Sequence, residues 1–82
     1  MKAPAPAPET VELDLRGLKC PLPALRTRKA LKEAVAGTRL VVTCTDPMTV
    51  IDIPHVAQET GAALEERTVE EGRLTFILRK PG

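Results

Sequence analysis

The sequence predicts an α/β (α+β) fold: a two-layer sandwich in the order βαβαββ, with two helices on one face of a four-stranded mixed sheet. Three observations carry this expectation. Stretches patterned for strands alternate with two stretches patterned for helices. Each helical stretch is followed by a glycine, Gly37 or Gly61, suited to a helix end. The last two β-patterned stretches flank Glu70-Glu71-Gly72 and therefore pair as an antiparallel hairpin. Right-handed crossovers then set both helices on the same side of the sheet.

Residues 1–9 alternate Ala and Pro and are expected to form an extended, disordered tail preceding a single domain over residues 10–82. Val11 to Leu15 alternates apolar and acidic side chains, as a half-buried strand does. Gly17 breaks it. Pro21 suits the first position of a helix, where its missing N–H would have no partner, and Gly37 lies past the helix end. At 100° per residue, Ala24, Thr27, Leu31, Ala34 and Val35 gather on one face. Arg39 to Thr45 is β-branched, with Leu40, Val42 and Cys44 sharing a side. Asp46-Pro47 stops this strand. The second helix is expected to have Asp52 as its N-cap, Pro54 in its first turn and Gly61 after its end. Val50, Ile53, Val56, Ala57 and Thr60 would then face inward. In the final strand Leu74, Phe76 and Leu78 share a face.

Composition narrows the function. The chain has one Phe and no Tyr or Trp, so the core is aliphatic and base-stacking platforms for single-stranded nucleic acid are absent. Twelve basic against eleven acidic residues give a formal net charge of +1, with no broad field for nucleic acid or an anionic membrane. Direct nucleic-acid binding and membrane association are not expected. Two cysteines make no disulfide framework, and MKAPAPAPET has no apolar core of a signal peptide. The expected location is the cytoplasm, where thiols stay reduced unless chemistry uses them.

Cys20 stands where a strand ends and a helix begins. A helix N-terminus favours a thiolate through its partial positive charge and free N–H groups, and Lys19 and Arg16 add positive charge nearby. A lowered thiol pKa is therefore expected. Pro21 and Pro23 stiffen the first turn, and Pro21 keeps Cys20 out of the helix. Leu22 and Leu25 lie opposite the core face among Arg26, Lys29 and Lys32. They form either a partner-docking patch or two ordinary exposed leucines.

LDLRGLKCPLP (residues 13–23), a basic helix, a strand and TDPMTVIDIP (residues 45–54) together resemble the TusA (SirA-like) sulfur-carrier family, over Val11 to Lys80. The resemblance implies that Cys20 takes up sulfane sulfur as a persulfide from a cysteine desulfurase or rhodanese-like donor. It then passes the sulfur to an acceptor protein, as in synthesis of 2-thiouridine in tRNA, cofactor assembly or sulfur oxidation. Such a protein is a covalent carrier with sulfurtransferase-type chemistry, little catalysis of its own and no cofactor; a monomer suffices.

The resemblance also gives roles to its neighbours. Arg16 and Gly17 match the family's Arg-Gly; Gly17 allows the turn into the loop, and Arg16 either stabilises sulfur anion or pairs with Asp46 or Asp52. Arg28 and Lys29 match its basic helix positions and either meet an acidic donor or form a solvated face. For Asp46 and Asp52 the residue pattern favours capping. Cys44 departs from the single-thiol pattern, and on its strand phase it points to the core. A resolving role for it defines a second reading, a dithiol redox protein using Cys20 and Cys44. A third reading is a thiol-independent RNA-binding or regulatory module. His55 is the sole histidine, and the cysteines lack metal-ligand spacing, so no metal is expected.

Overall fold

The structure is a computed structural model that describes residues 10–81; the expected Ala/Pro tail over residues 1–9 lies outside the described residues. The elements run β1 (Thr10–Leu15), α1 (Leu22–Glu33), β2 (Arg39–Cys44), α2 (Thr49–Thr60), β3 (Ala63–Glu70) and β4 (Arg73–Arg79). This is the expected βαβαββ order. The sheet order is β1-β2-β4-β3, with β1 and β2 parallel and the other neighbours antiparallel. Thr10, Arg39 and Arg79 form the row at one end of the sheet, and Leu15, Cys44 and Leu74 the row at the other. Because β1 and β2 run the same way, both helices start at the Leu15 end.

Alternation along the strands buries one face under the helices. Leu40, Val42, Cys44, Phe76 and Leu78 are fully buried there, joined by Ile53 and Val56 from α2 and Leu31 from α1. With a single Phe available, aliphatic side chains fill the remaining volume, and Phe76 is the largest group in the centre.

The helix limits differ from the sequence pattern, for reasons rooted in tertiary contacts. Pro21 is the N-cap of α1, not its first residue, and Pro23 takes the second helical position. The helix ends at Glu33 with Ala34 already extended, three residues short of the expected end. The Lys80 ammonium reaches in from beyond β4 and donates to the carbonyls of Lys32 (3.2 Å) and Ala34 (2.7 Å). These groups would otherwise stay unpaired at a helix C-terminus. Val35, expected in the core, is therefore outside the helix and exposed.

Helix α2 begins at Thr49, three residues before the expected cap at Asp52, and carries Pro54 in its interior. Asp46 starts it instead. Its Oδ1 accepts the Met48 N–H (3.0 Å), and its carbonyl accepts the Thr49 N–H (3.0 Å) and hydroxyl (2.7 Å). An aspartate bonding the backbone two residues on is a turn-forming contact that competes well with the pattern further along. The earlier start leaves Val50 exposed, not inward-facing. Gly61 ends α2 in the left-handed region (φ +77°), as expected.

Strands β3 and β4 join through Glu71 and Gly72, both at positive φ, the tight turn that matches strand twist. Strand β3 has a bulge between Leu64 and Glu66. The extra residue, Glu65, accepts from Arg39 (3.2 Å) and Arg79 (2.7 Å), tying β3 to β2 and β4.

Candidate functional site

The site lies where β1 and β2 end and both helices begin. Residues 16–21 link β1 to α1. Gly17 turns the loop at φ +85°, and its N–H donates to the Thr45 hydroxyl at 2.8 Å, so this loop is tied to the end of β2. Leu18 N–H closes back on the Leu15 carbonyl (3.2 Å). Lys19, Gly17, Thr45 and Asp46 line an open cleft of about 250 Å³ beside the thiol loop. The Cys20–Pro21 peptide bond is cis.

Cys20 is exposed. Its N–H donates to Asp46 Oδ2 at 2.5 Å, and its Sγ–H donates to Asp52 Oδ2 at 3.0 Å. The structure thus brings together three residues that the sequence separates widely: the thiol, and the two aspartates for which the residue pattern favours capping. Asp46 is not the cap of α2, whose N-cap is Met48 with no side-chain cap bond; it forms the turn just before the helix and also holds the Cys20 backbone. Asp52, in the first turn of α2, contacts the sulfur itself.

This overturns the expected electrostatics. The Cys20 thiol is pushed up, first by its hydrogen bond to Asp52, then by desolvation and the charges of Asp52 and Asp46. The start of α1 offers little to oppose them. Leu22 N–H is spent on the Lys19 carbonyl, Pro23 has no N–H, and Leu25 N–H is spent on the Pro21 carbonyl. The same two prolines that stiffen the loop also remove donors from it. Asp46 is held below the usual carboxylate range by the Met48 and Cys20 N–H groups, with Lys19 adding a smaller effect.

The remaining candidates are dispersed. Arg16 does not pair with Asp46 or Asp52. It bonds Asp14 through Nε and a terminal nitrogen, both at 2.8 Å, and holds that carboxyl down at about 2. Local sequence spacing wins here, since Arg16 is the first residue after β1 and lies only two residues from Asp14. Arg28 on α1 pairs with Glu59 on α2, whose other oxygen meets His55 Nε2 at 3.3 Å. Lys29 is exposed. Leu22 and Leu25 are exposed on α1 just after the thiol, and Met48 and Ile51 are exposed at the start of α2. The end of the molecule that bears Cys20 therefore carries an apolar rim.

Cys44 is fully buried, and burial pushes its thiol up to about 11. The dithiol reading is left without an accessible second sulfur. Among the described residues no group of three or more His, Cys, Asp or Glu side chains is arranged to hold a metal ion. No helix among them is long and apolar enough to cross a membrane.

Asp52 as a contact of the thiol was missed by sequence reasoning. The available signal was TDPMTVIDIP itself, whose two aspartates flank the start of the helix that packs beside α1.

Comparison with known proteins bears on the family and the fold. The family model described as sulfurtransferase TusA matches residues 11–80. The sulfur carrier protein TusA of Allochromatium vinosum is 44% identical over 69 residues, covering 84% of this chain and 91% of that protein. The sulfur carrier protein TusA of Pseudomonas syringae pv. syringae is 38% identical over 69 residues, covering 84% and 82% respectively. The crystal structure of a SirA-like protein from Desulfitobacterium hafniense superposes with a TM-score of 0.75 at 22% identity, over 88% of this chain and 99% of that one, which bears on the fold alone. A family match that takes in all but the first residue of the βαβαββ fold, together with its thiol loop, leaves one assignment: this chain belongs to the sulfurtransferase TusA family.

Proposed function

We propose that Cys20 accepts a sulfane sulfur as a persulfide and relays it to an acceptor protein. The observation that carries this reading is the setting of Cys20, an exposed thiol on a tethered loop at the shared start of two helices. Its counterpart Cys44 is buried in the core. The transfer is thiol exchange. Cys20 sulfur attacks the outer sulfur of a donor persulfide, the donor's S–S bond breaks, and the donor cysteine leaves as a thiol. No net oxidation occurs, so no cofactor is needed.

Donor and acceptor are protein partners, the donor being a cysteine desulfurase or a rhodanese-like protein. Leu22 and Leu25 belong to the surface they meet, with Lys19, Arg28 and Lys29 as its cations, and Gly17, Pro21 and Pro23 set the presentation of the thiol. The relay serves tRNA 2-thiouridine synthesis or related sulfur trafficking in the cytoplasm, with the protein acting as a monomer. Residues 10–82 form the carrier domain and residues 1–9 an extension of it.

The test is to incubate the reduced protein with a cysteine desulfurase and cysteine, and to record intact mass with and without dithiothreitol. A reducible gain of one or more sulfur atoms, lost in Cys20→Ser and kept in Cys44→Ser, is the expected result. If Cys20 gains no sulfur from a desulfurase, a rhodanese or polysulfide, the carrier reading is wrong.

A further inference from the structure

We propose that Asp52 is the proton acceptor for Cys20: it holds the thiol ready through the Sγ–H···Oδ2 contact and takes its proton as the sulfur attacks. This inference rests on the carrier reading above and adds a second reacting residue to it.

The geometry separates the two aspartates. Both oxygens of Asp46 are engaged with backbone, Oδ1 with Met48 N–H and Oδ2 with Cys20 N–H. Asp46 therefore positions the loop. Asp52 Oδ2 lies 3.0 Å from the sulfur, within reach for direct proton transfer. Every element packed against the thiol contributes to its charge environment. Its own loop supplies Lys19, which acts on Asp46; the β2–α2 loop supplies Asp46; α2 supplies Asp52. Arg16 is occupied by Asp14. Two carboxylates facing one thiol favour its protonated form, so Cys20 rests as a thiol and the attack must include removal of its proton.

The step balances as follows. Cys20 Sγ forms a bond to the outer sulfur of a donor R–S–SH while its proton passes to Asp52 Oδ2. The donor's S–S bond breaks and R–S⁻ departs with the electron pair. R–S⁻ then takes the proton from Asp52, giving R–SH and Cys20–S–SH with the carboxylate restored. In the outgoing transfer the direction reverses. The acceptor sulfur forms a bond to the outer sulfur while its proton passes to Asp52 Oδ2. The S–S bond on Cys20 breaks, and Cys20 Sγ leaves with the electron pair and takes that proton back from Asp52, so that thiol and carboxylate are both restored. A carboxylate beside the loaded sulfur also disfavours a persulfide anion that would otherwise linger on Cys20.

The experiment compares the full chain with Asp52→Asn and Asp52→Glu in two assays, after thermal melts show which variants are folded. Iodoacetamide alkylation of Cys20 against pH reads the thiolate fraction. Sulfur uptake at pH 7 from glutathione persulfide, followed by intact mass, reads the transfer. The expected signature is crossed: Asp52→Asn moves the alkylation midpoint to lower pH, yet slows sulfur uptake by roughly a hundredfold. Asp52→Glu, which keeps a carboxylate, recovers part of the uptake. An unchanged alkylation midpoint overturns the proposal, as does uptake that rises in step with thiolate fraction. Wild-type loading matched by Asp52→Asn overturns the role of Asp52 and leaves the carrier reading standing. Absence of loading in the wild type from glutathione persulfide and equally from a desulfurase, a rhodanese and polysulfide overturns both.

Discussion

Asp46 Oδ2 accepts the backbone N–H of Cys20 at 2.5 Å while its Oδ1 accepts the Met48 N–H at the start of α2. One carboxylate thus joins the thiol loop to the helix that carries Asp52, across 26 residues of sequence. The position of the sulfur and the beginning of α2 are set by the same group.

Removing that group should loosen both. Asp46→Ala is expected to lower the thermal midpoint and to raise amide exchange at Cys20 and Met48 together. Asp46→Asn, which keeps one acceptor oxygen, should restore the Met48 contact and not the Cys20 contact. Hydrogen exchange followed by nuclear magnetic resonance distinguishes the two sites.

Gly17→Ala tests the turn into the loop. No atom lies within 4 Å of the added methyl group, so crowding is not the issue. The φ of +85° is, and an L-residue there costs about 1–2 kcal/mol. Urea melts should show that loss. A loss below about 0.5 kcal/mol would mean the loop relaxes to a different backbone.

The Lys80 contact with the end of α1 predicts a modest stability effect. Lys80→Met keeps the aliphatic stem and removes the donor to the Lys32 and Ala34 carbonyls. The expected loss is about 0.5–1.5 kcal/mol. Its readout is the urea midpoint, with no change in sulfur loading at Cys20, because the contact lies at the other end of the helix.

Cys44 gives a pH dependence with a definite sign. Burial raises its thiol from an ordinary 9.0 to about 11, so the folded form keeps a proton that the unfolded chain releases. Stability from this group is full below pH 9 and is lost as pH rises toward 11, on the order of 2 kcal/mol. The chain has no tyrosine to obscure that window. Urea melts from pH 8 to 11 should show a shallower alkaline decline in Cys44→Ala than in the wild type, on a baseline lowered by about 1–2 kcal/mol for the lost packing.

The order of elements was legible because strand and helix periods differ and each change of period is marked by Gly or Pro. Gly61 and the Glu71-Gly72 turn are local devices, and they behave as local patterns predict. The start of α2 was not legible from pattern. Asp52 followed by Pro54 is a sound N-terminal signal, but Asp46 and Thr49 form an earlier turn that is completed by a contact with Cys20. The end of α1 depends likewise on Lys80, 46 residues beyond Ala34. Cys20 itself stood out from its Cys-Pro-x-Pro setting. Its electrostatics did not, because the helix terminus that would lower its pKa is local and the carboxylate that raises it arrives through the fold.

The two end rows of the sheet bear on how this domain can be used. Thr10 and Arg79 both flank Arg39 in the row remote from the thiol, whereas Leu15 and Leu74 flank Cys44 beside it. The described chain therefore enters and leaves at one pole and presents sulfur at the other. An affinity tag, a surface tether or a neighbouring domain joined next to Thr10 or Arg79 would grip the handle and leave the opposite tip open. The layout suits immobilised pull-down of sulfur donors, and it makes the domain a ready-made head for attachment to other proteins.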